Sequence, residues 1–404
     1  MSHSKNIVTD EKKALHPYVN HGNVLMKPSH LESFPSSINE LVGYRRITPK
    51  SGVNSVGAIT QSQTVDILID GDNGGHPHSI YAEVKLKELG NSNNATVLSE
   101  LIFERIEVYA NGITELFHTI LPEELGFINY LSIPYDEMRR IRQSLALNSD
   151  YTPIAGNLPQ NGTKIYYIEI PLFKGSQVDF RNIRGGVTFK FIFNAPSIFC
   201  DNTSPLSTNV GLSDINIIMK QLNIMNVKPM KTLRHKYINY IRNSLPISNM
   251  TASQLYDIPL TSLSGYCSHL IVMIRTQNPA TNYNNYRSFL GNIDNIEFHD
   301  SANQRLAIPF TQQLINQVLE TNLNSDFIYS YPTGVNVYIL PFNMVPSSAS
   351  HGVFYGNYKL TTLEHILITT NSSFATNNVT VDVWGAMMGY YDVEPCGTFK
   401  YIKQ

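Results

Sequence analysis

Charge is scarce in this chain. Asp, Glu, Lys and Arg make up 15% of its 404 residues, against roughly 25% in an ordinary soluble protein, and the net charge is −2. With no basic field of its own, the protein is not expected to bind nucleic acid directly or sequence-specifically. Cysteine is equally sparse. Cys200, Cys267 and Cys396 are odd in number and far apart, which excludes a disulfide framework and a zinc-type spacing. No apolar run approaches the roughly 18–20 residues of a membrane-spanning helix. The opening MSHSKNIVTDEKKALHPY lacks the apolar centre of a secretory signal. These absences predict a chain made and folded in a reducing, cytosol-like space. Nucleotide loops, Ser-His-Asp elbows and Cys-His arrangements are also missing. What fills the space is Asn, Ser, Thr and Tyr, the last at 23 residues. Such a surface is polar but weakly charged, suited either to solvation or to pressing against copies of itself, where isolated charges would cost desolvation.

The chain also says one thing twice. Residues 101–117 (LIFERIEVYANGITELF) are echoed by 292–308 (NIDNIEFHDSANQRLAI), with 106–108 matching 296–298. Each copy is a short alternating run, a polar turn and a second short run. A proline follows in each, Pro122 and Pro309, and each opens a helical pattern. Residues 79–86 match 267–274, residues 164–173 match 334–342 with Pro171 against Pro341, and 187–193 match 363–369. Four elements in the same order are too widely spaced for a solenoid, whose period is about 20–50 residues. They predict one duplicated domain.

Residues 1–40 lack alternation and read as an N-terminal arm that orders only against a neighbour. From 41 onward short strands dominate, at 64–69, 79–86, 164–171, 187–194, 213–225, 237–245, 256–263, 266–276, 293–299, 335–342, 363–369 and 378–388. Helical patterns fall at 122–131, at 136–147 with Met138, Ile141 and Leu145 on one face, and at 309–320. The basic stretch 228–236 reads as a helical connector. The predicted fold is all-β: two tandem eight-stranded jelly rolls with short helices in loops, the first over 41–227 and the second over 228–404.

No motif reads as a reaction centre. His76-Pro-His78 has a His-x-His spacing but no third ligand fixed nearby, and we read it as two histidines in a Gly- and Asn-rich loop. A calcium loop starting at Asp70 fails at position 12, where Tyr81 stands in place of a bidentate Glu. Gly185-Gly186 precedes a strand, which favours a tight turn or bulge over a phosphate cradle. Glu123 and Glu124 sit at a helix start, where the macrodipole accounts for them. Sequons such as Asn94 and Asn161 are the chance product of a composition rich in Asn, Ser and Thr. No catalytic, cofactor-binding or metal residue is assigned, and no cofactor is expected.

In the order of its pieces, the chain resembles the double-jelly-roll major capsid proteins of tailless icosahedral DNA viruses, the lineage of adenoviruses, tectiviruses and nucleocytoplasmic large DNA viruses. The pieces are IEVYANG at 106–112 with the helical 122–131, the proline-containing strand at 166–172, and the Gly-preceded strand at 184–193. A strand, basic stretch and HKYI start follow at 213–238. The resemblance covers about residues 40–390. It implies a structural subunit of the virion, not an enzyme, that forms pseudo-hexagonal homotrimers and then packs against neighbouring capsomers. It adds minor capsid or penton proteins and, through the arm, an internal membrane as candidate partners. Two other readings stay open: a two-jelly-roll enzyme of metal hydroxylase or glycosamidase type, and a carbohydrate-binding β-protein using aromatics such as Tyr283 and Tyr286.

Overall fold

The computed structural model describes residues 41–402 apart from 51–56, 91–93, 114, 133–134, 174–177, 202–208, 224–231, 277–282, 284–285, 287–288, 303, 306–336 and 343–356. Its first eight strands are β1 (Leu41–Ile47), β2 (Thr64–Ile69), β3 (His76–Glu88), β4 (Phe103–Ala110), β5 (Glu115–Ile120), β6 (Thr163–Ile170), β7 (Val187–Phe193) and β8 (Val210–Asn223). They form two antiparallel sheets, β1-β8-β3-β6 and β2-β7-β4-β5. Alternation sets their facing: Val65, Ile67 and Ile69 are buried, while Thr64 and Asp66 look outward. The facing surfaces interdigitate Ile80, Ala82, Val84 and Leu86 from β3 with Phe189, Phe191 and Phe193 from β7. Between β5 and β6 the chain turns helical, as its sequence predicts. A π-helical turn at Glu124–Ile128 leads into helices at Asn129–Ser132 and Tyr135–Ser144. Ile141 and Leu145 of the expected apolar face are buried; the Met138 side chain lies outside the described residues.

The second half repeats the plan. Strands β9 (Leu233–Met250), β10 (Leu255–Pro259), β11 (Gly265–Thr276), β12 (Ile293–His299), β13 (Val337–Pro341), β14 (Tyr358–Leu360), β15 (His365–Thr370), β16 (Asn377–Val393) and β17 (Phe399–Ile402) follow. One sheet runs β9-β16-β11-β13 and the other β10-β15-β12. The orders correspond: β9 stands where β1 does, β16 where β8 does and β15 where β7 does, while no counterpart of β5 is among the described strands. Each pair matched in the sequence, β3 with β11, β4 with β12, β6 with β13 and β7 with β15, occupies corresponding places. Two additions are β14, paired to the start of β11, and β17, paired to the end of β16. The expected helix at 309–320 and the arm at 1–40 lie outside the described residues.

Register corrects two of the sequence matches. Ile106 lies opposite Phe191, and its counterpart Ile296 lies opposite Ile368. The sequence match had set Phe191 against Leu367. A slip of one residue exchanges the two faces of a strand, and the buried sets agree with the structure: Phe189, Phe191 and Phe193 against Ile366, Ile368 and Thr370. Val84 opposite Tyr166 corresponds to Val272 opposite Tyr338, so Pro171 and Pro341 are not equivalent. Two local readings also change. His76 and His78 open strand β3 instead of lying in a loop, and residues 233–236 of the predicted connector already belong to β9. Gly185 and Gly186 do form a turn, with φ of +76° and +73° and the Gly186 N–H donating to the Ile183 carbonyl.

Candidate functional site

The chemistry of this chain concentrates where its halves meet. Strand β11 (GYCSHLIVMIRT) is buried on both faces almost throughout. Leu270, Val272 and Ile274 fill the second barrel. Ile271 and Met273, on the opposite face with Val337, Ile339 and Trp384 of neighbouring strands, join the hydrophobic cluster of the first half. A sheet covered on both sides reads as a continuous apolar run instead of an alternation.

Into this face is set a buried ion cluster. Arg275 at the end of β11 donates from Nη1 to Glu123 Oε1 at 2.9 Å and from Nε to Asp382 Oδ2 at 3.0 Å. Its Nη2 also bonds Asp382. Asp382 Oδ1 accepts from Arg242 Nε at 2.8 Å and Ser244 Oγ at 2.7 Å. Asp382 is fully buried, and Arg275 and Glu123 nearly so. Burial alone would lower the Arg275 pKa, but the Coulombic pull and hydrogen bonds of Glu123 and Asp382 outweigh it and hold the guanidinium above its ordinary value. Two cations meet two carboxylates, so the cluster is neutral. Glu123 belongs to the first half and the others to the second, so this is a bond across the joint.

Glu124 turns the other way. Its Oε2 lies 3.0 Å from His118 Nε2, while its Oε1 accepts the Leu121 N–H. Burial, then the nearby Glu124 and Cys267, raise the pKa of Tyr240 on β9. The Tyr240 ring meets His269 edge-on at 6.0 Å, and burial pushes the His269 imidazole down to about 4. The helix macrodipole is therefore not what defines Glu123 and Glu124; specific partners do.

A second part of the joint is aromatic. Phe117 of β5 has ring centroids 5.4 Å from Phe173, 5.1 Å from Tyr237, 5.0 Å from Phe399 and 5.8 Å from Tyr401. The last three come from β9 and β17 of the second half. Tilted and edge-on pairs of this kind add about 0.5–1.5 kcal/mol each beyond their buried area. The final strand is also stapled by its backbone. The Asn111 side chain accepts the Phe399 N–H at 3.0 Å and donates to the Phe399 carbonyl at 2.8 Å. The Gly397 carbonyl accepts from the Arg184 N–H at 2.8 Å. Gly397 has φ +85°, and a Cβ there would stand 2.6 Å from the Asn182 carbonyl oxygen.

Sequence reading missed this joint. Its signal was a charge inside an apolar run: Asp382 in VTVDVWGAMM and Arg275 in LIVMIRT. The histidines singled out there are elsewhere. His76 Nε2 is 3.5 Å from Asp179, which also binds Arg181. Among the described residues, no three His, Cys, Asp or Glu side chains are grouped to hold a metal ion, and no helix is long and apolar enough to cross a membrane.

No protein-family model and no curated protein matches the sequence. Solved structures do match the fold. PBCV-1 VP54, fitted into a reconstruction of the virophage Sputnik, aligns with a TM-score of 0.65 at 10% identity, covering 92% of this chain and 99% of that one. The Faustovirus major capsid protein aligns at 0.61 and 8% identity, covering 96% and 98%. The mavirus major capsid protein aligns at 0.52 and 12%, covering 93% and 95%. The chain therefore has the double-jelly-roll fold of viral major capsid proteins.

Proposed function

We propose that this protein is the major structural subunit of an icosahedral viral capsid, located in the virion and assembled as a homotrimer. The observation that carries the reading is the end-to-end agreement of fold with major capsid proteins, which takes in both barrels and nearly all of each neighbour chain. The joint supports it. Two similar barrels locked by a buried ion cluster and an aromatic cluster form one rigid block with two similar outer corners. We place the division between the barrels at residue 228. Three such blocks in a closed ring present six corners, an outline that tiles a shell, and closure satisfies each chain's two complementary walls. The weakly charged, tyrosine-rich composition suits such walls, since interface centres are depleted in charge and enriched in Tyr. Neighbouring trimers, minor capsid or penton proteins, and a membrane reached by residues 1–40 complete the set of partners.

Light scattering on dilute purified protein tests this. The expected mass is three times the 45.5 kDa of the chain, stable to moderate salt because an obligate interface of about 2,000–5,000 Å² holds by area and shape. A mass of one chain at every concentration refutes the reading. Electron microscopy of concentrated material should show hexagonal capsomers.

A further inference from the structure

Register lets the outer faces of β2-β7-β4-β5 and β10-β15-β12 be compared position by position. Glu107 lies opposite Lys190, which lies opposite Asp66. Glu297 lies opposite Leu367, which lies opposite Asp257. With Ile106 matched to Ile296, Tyr109 corresponds to His299, Thr188 to His365 and Arg105 to Asn295. Both copies keep the two carboxylates, but not what neutralises them. In the first barrel Glu107 accepts from Arg105 Nε at 2.8 Å and from the Tyr109 hydroxyl at 2.7 Å, and Lys190 Nζ is 3.9 Å away. Burial raises the Glu107 pKa, but these bonds and charges outweigh it and hold the carboxyl below its ordinary value. In the second barrel Asn295 and Leu367 stand where Arg105 and Lys190 do. There Glu297 Oε2 lies 2.9 Å from His299 Nε2, and its Oε1 lies 3.7 Å from Arg305.

We propose that His299 is a proton switch. In mild acid it supplies to the outer face of β10-β15-β12 the positive charge that Arg105 and Lys190 give the first barrel permanently, and it loses that charge as pH rises, loosening this sheet alone. Histidine is the side chain whose charge changes between about pH 5 and 8; Arg, Lys and Tyr do not titrate there. Among the described residues, the charged and titratable groups around His299 are mostly acidic. Glu297 is on its own strand, Asp300 and Arg305 are in the turn that follows, Asp257 is on β10, Glu364 and His365 are at the start of β15, and Tyr358 and Lys359 are on β14. Burial, then Glu364 and Asp300, raise the Tyr358 pKa, so the field of those carboxylates is felt across this end of the barrel. Four carboxylates face two cations, and one more positive charge is favoured. His365 does not share the role. Its Nδ1 lies 3.4 Å from Asp257, and its buried Nε2 has no hydrogen-bond partner among the described residues, so a proton there would leave a stranded N–H. The two rings are cross-strand neighbours 5.5 Å apart, which also opposes a second charge. Burial of His299 works against the imidazolium, but the carboxylate at 2.9 Å and the acidic surroundings outweigh it. An opened sheet no longer holds those carboxylates around the ring, so the closed sheet binds the proton more tightly. The resulting stability is present at low pH and is lost as pH rises. The switch belongs to the single chain and operates without assembly.

Hydrogen exchange read by mass spectrometry tests the proposal on the full chain, between about pH 5.5 and 8, at a concentration where light scattering shows one mass throughout. After correction for the intrinsic pH dependence of amide exchange, protection of 293–299 and 365–370 should fall about tenfold as pH rises, the difference between a charge-assisted and a neutral hydrogen bond. Protection of 103–110 and 187–193, the matching strands of the first barrel, should not follow it. His299→Gln keeps a hydrogen-bond donor but does not titrate, and in that variant the dependence should vanish. His299→Tyr, which copies the arrangement of Tyr109 with Glu107, should be equally flat. The neutral His269 ring acts in the opposite direction, its stability falling toward acid, and cannot produce the expected slope. Equal slopes in the two barrels, protection that increases with pH, or a slope that persists in His299→Gln overturns the proposal. If the variants fail to fold, the comparison of the two barrels in the unaltered chain decides.

Discussion

Removing Arg275 should unlock the barrels before it unfolds them. In Arg275→Met, Asp382 keeps Arg242 and Ser244, but Glu123 loses a guanidinium at 2.9 Å while remaining almost wholly buried. Stranding one member of a buried pair costs about 3–5 kcal/mol. Glu123→Gln leaves Arg275 with Asp382 and a neutral amide in place of a carboxylate, a loss of about 1.5–3 kcal/mol for a charged hydrogen bond. In the double variant, neither orphan exists. The two costs should therefore fall short of additive by about 1–3 kcal/mol, because residues in one ion network couple. The chain supplies its own probe. Its single tryptophan, Trp384, is buried on the joint face of β16, with the Arg242 guanidinium 5.9 Å from its ring centre. Urea titrations of the four proteins, followed by Trp384 emission and by far-ultraviolet circular dichroism, give both numbers. In Arg275→Met the tryptophan transition should precede loss of strand signal, since noncoincident probes mark a partly opened state. Single-variant costs that add within about 0.5 kcal/mol, or a total cost below about 1 kcal/mol as for an exposed pair, would refute the claim that this cluster holds the halves together.

Other consequences of the joint are as direct. His269 is buried neutral, with its pKa pushed down to about 4, whereas the unfolded chain takes up that proton near pH 6.5. The unfolded state thus binds more protons between those values. The stability carried by the neutral ring is complete above about pH 6.5 and falls as pH drops toward 4, by about 3 kcal/mol in total. His269→Leu should remove this portion of the acid sensitivity in denaturation midpoints taken from pH 7 to 4.5, and an unchanged slope counts against the assignment. Asn111→Asp loses the donor to the Phe399 carbonyl and should cost about 1–3 kcal/mol, with faster hydrogen exchange confined to 399–402. Gly397→Val meets both the positive φ and the Asn182 carbonyl. It should free the same strand to exchange and to proteolysis, and unaltered protection of 399–402 would mean that the strand is held by β16 alone.

The strands were legible where one face is wet and one is dry. Thr64–Ile69 shows this in six residues, with Val65, Ile67 and Ile69 inward, and the sequence reading of 64–69 coincides with the strand. Strand β11 was legible as apolar, but its sequence cannot say which alternate residues face the second barrel and which face the first, since both sets are hydrophobic. Short strands such as β17, whose FKYI pairs with the end of β16, leave too few residues for a period to register. The one-residue error in matching β7 to β15 has the same root. VTFKFIF alternates, with Val187, Phe189, Phe191 and Phe193 on one parity, but LEHILIT carries Leu363 and Leu367 on one parity and Ile366 and Ile368 on the other, and only the ladder opposite Ile296 fixes which is inward.

The repeat was legible because duplication preserves what each barrel demands of its own core, and it faded wherever the copies meet different neighbours. Ala82, Val84 and Leu86 have Leu270, Val272 and Ile274 as counterparts, hydrophobic for hydrophobic, because both sets fill a barrel. The intervening positions part company: Glu83 and Lys85 against Ile271 and Met273. A single barrel gives no reason for that difference, since its outward face would meet only water. The second copy's outer face became apolar because the first half lies on it, bringing Glu123 to Arg275 and Phe117 to Phe399. Divergence between the copies therefore marks contact, and identity between them marks core. By that logic the inner positions of the two sheets should tolerate exchange between copies, such as Leu86→Ile or Ile274→Leu, for less than about 1.5 kcal/mol. Transplanting an outer position, such as Ile271→Glu, should cost about 3–5 kcal/mol by burying a carboxylate with no prepared partner, a tenfold drop in the folding equilibrium constant for each ~1.4 kcal/mol.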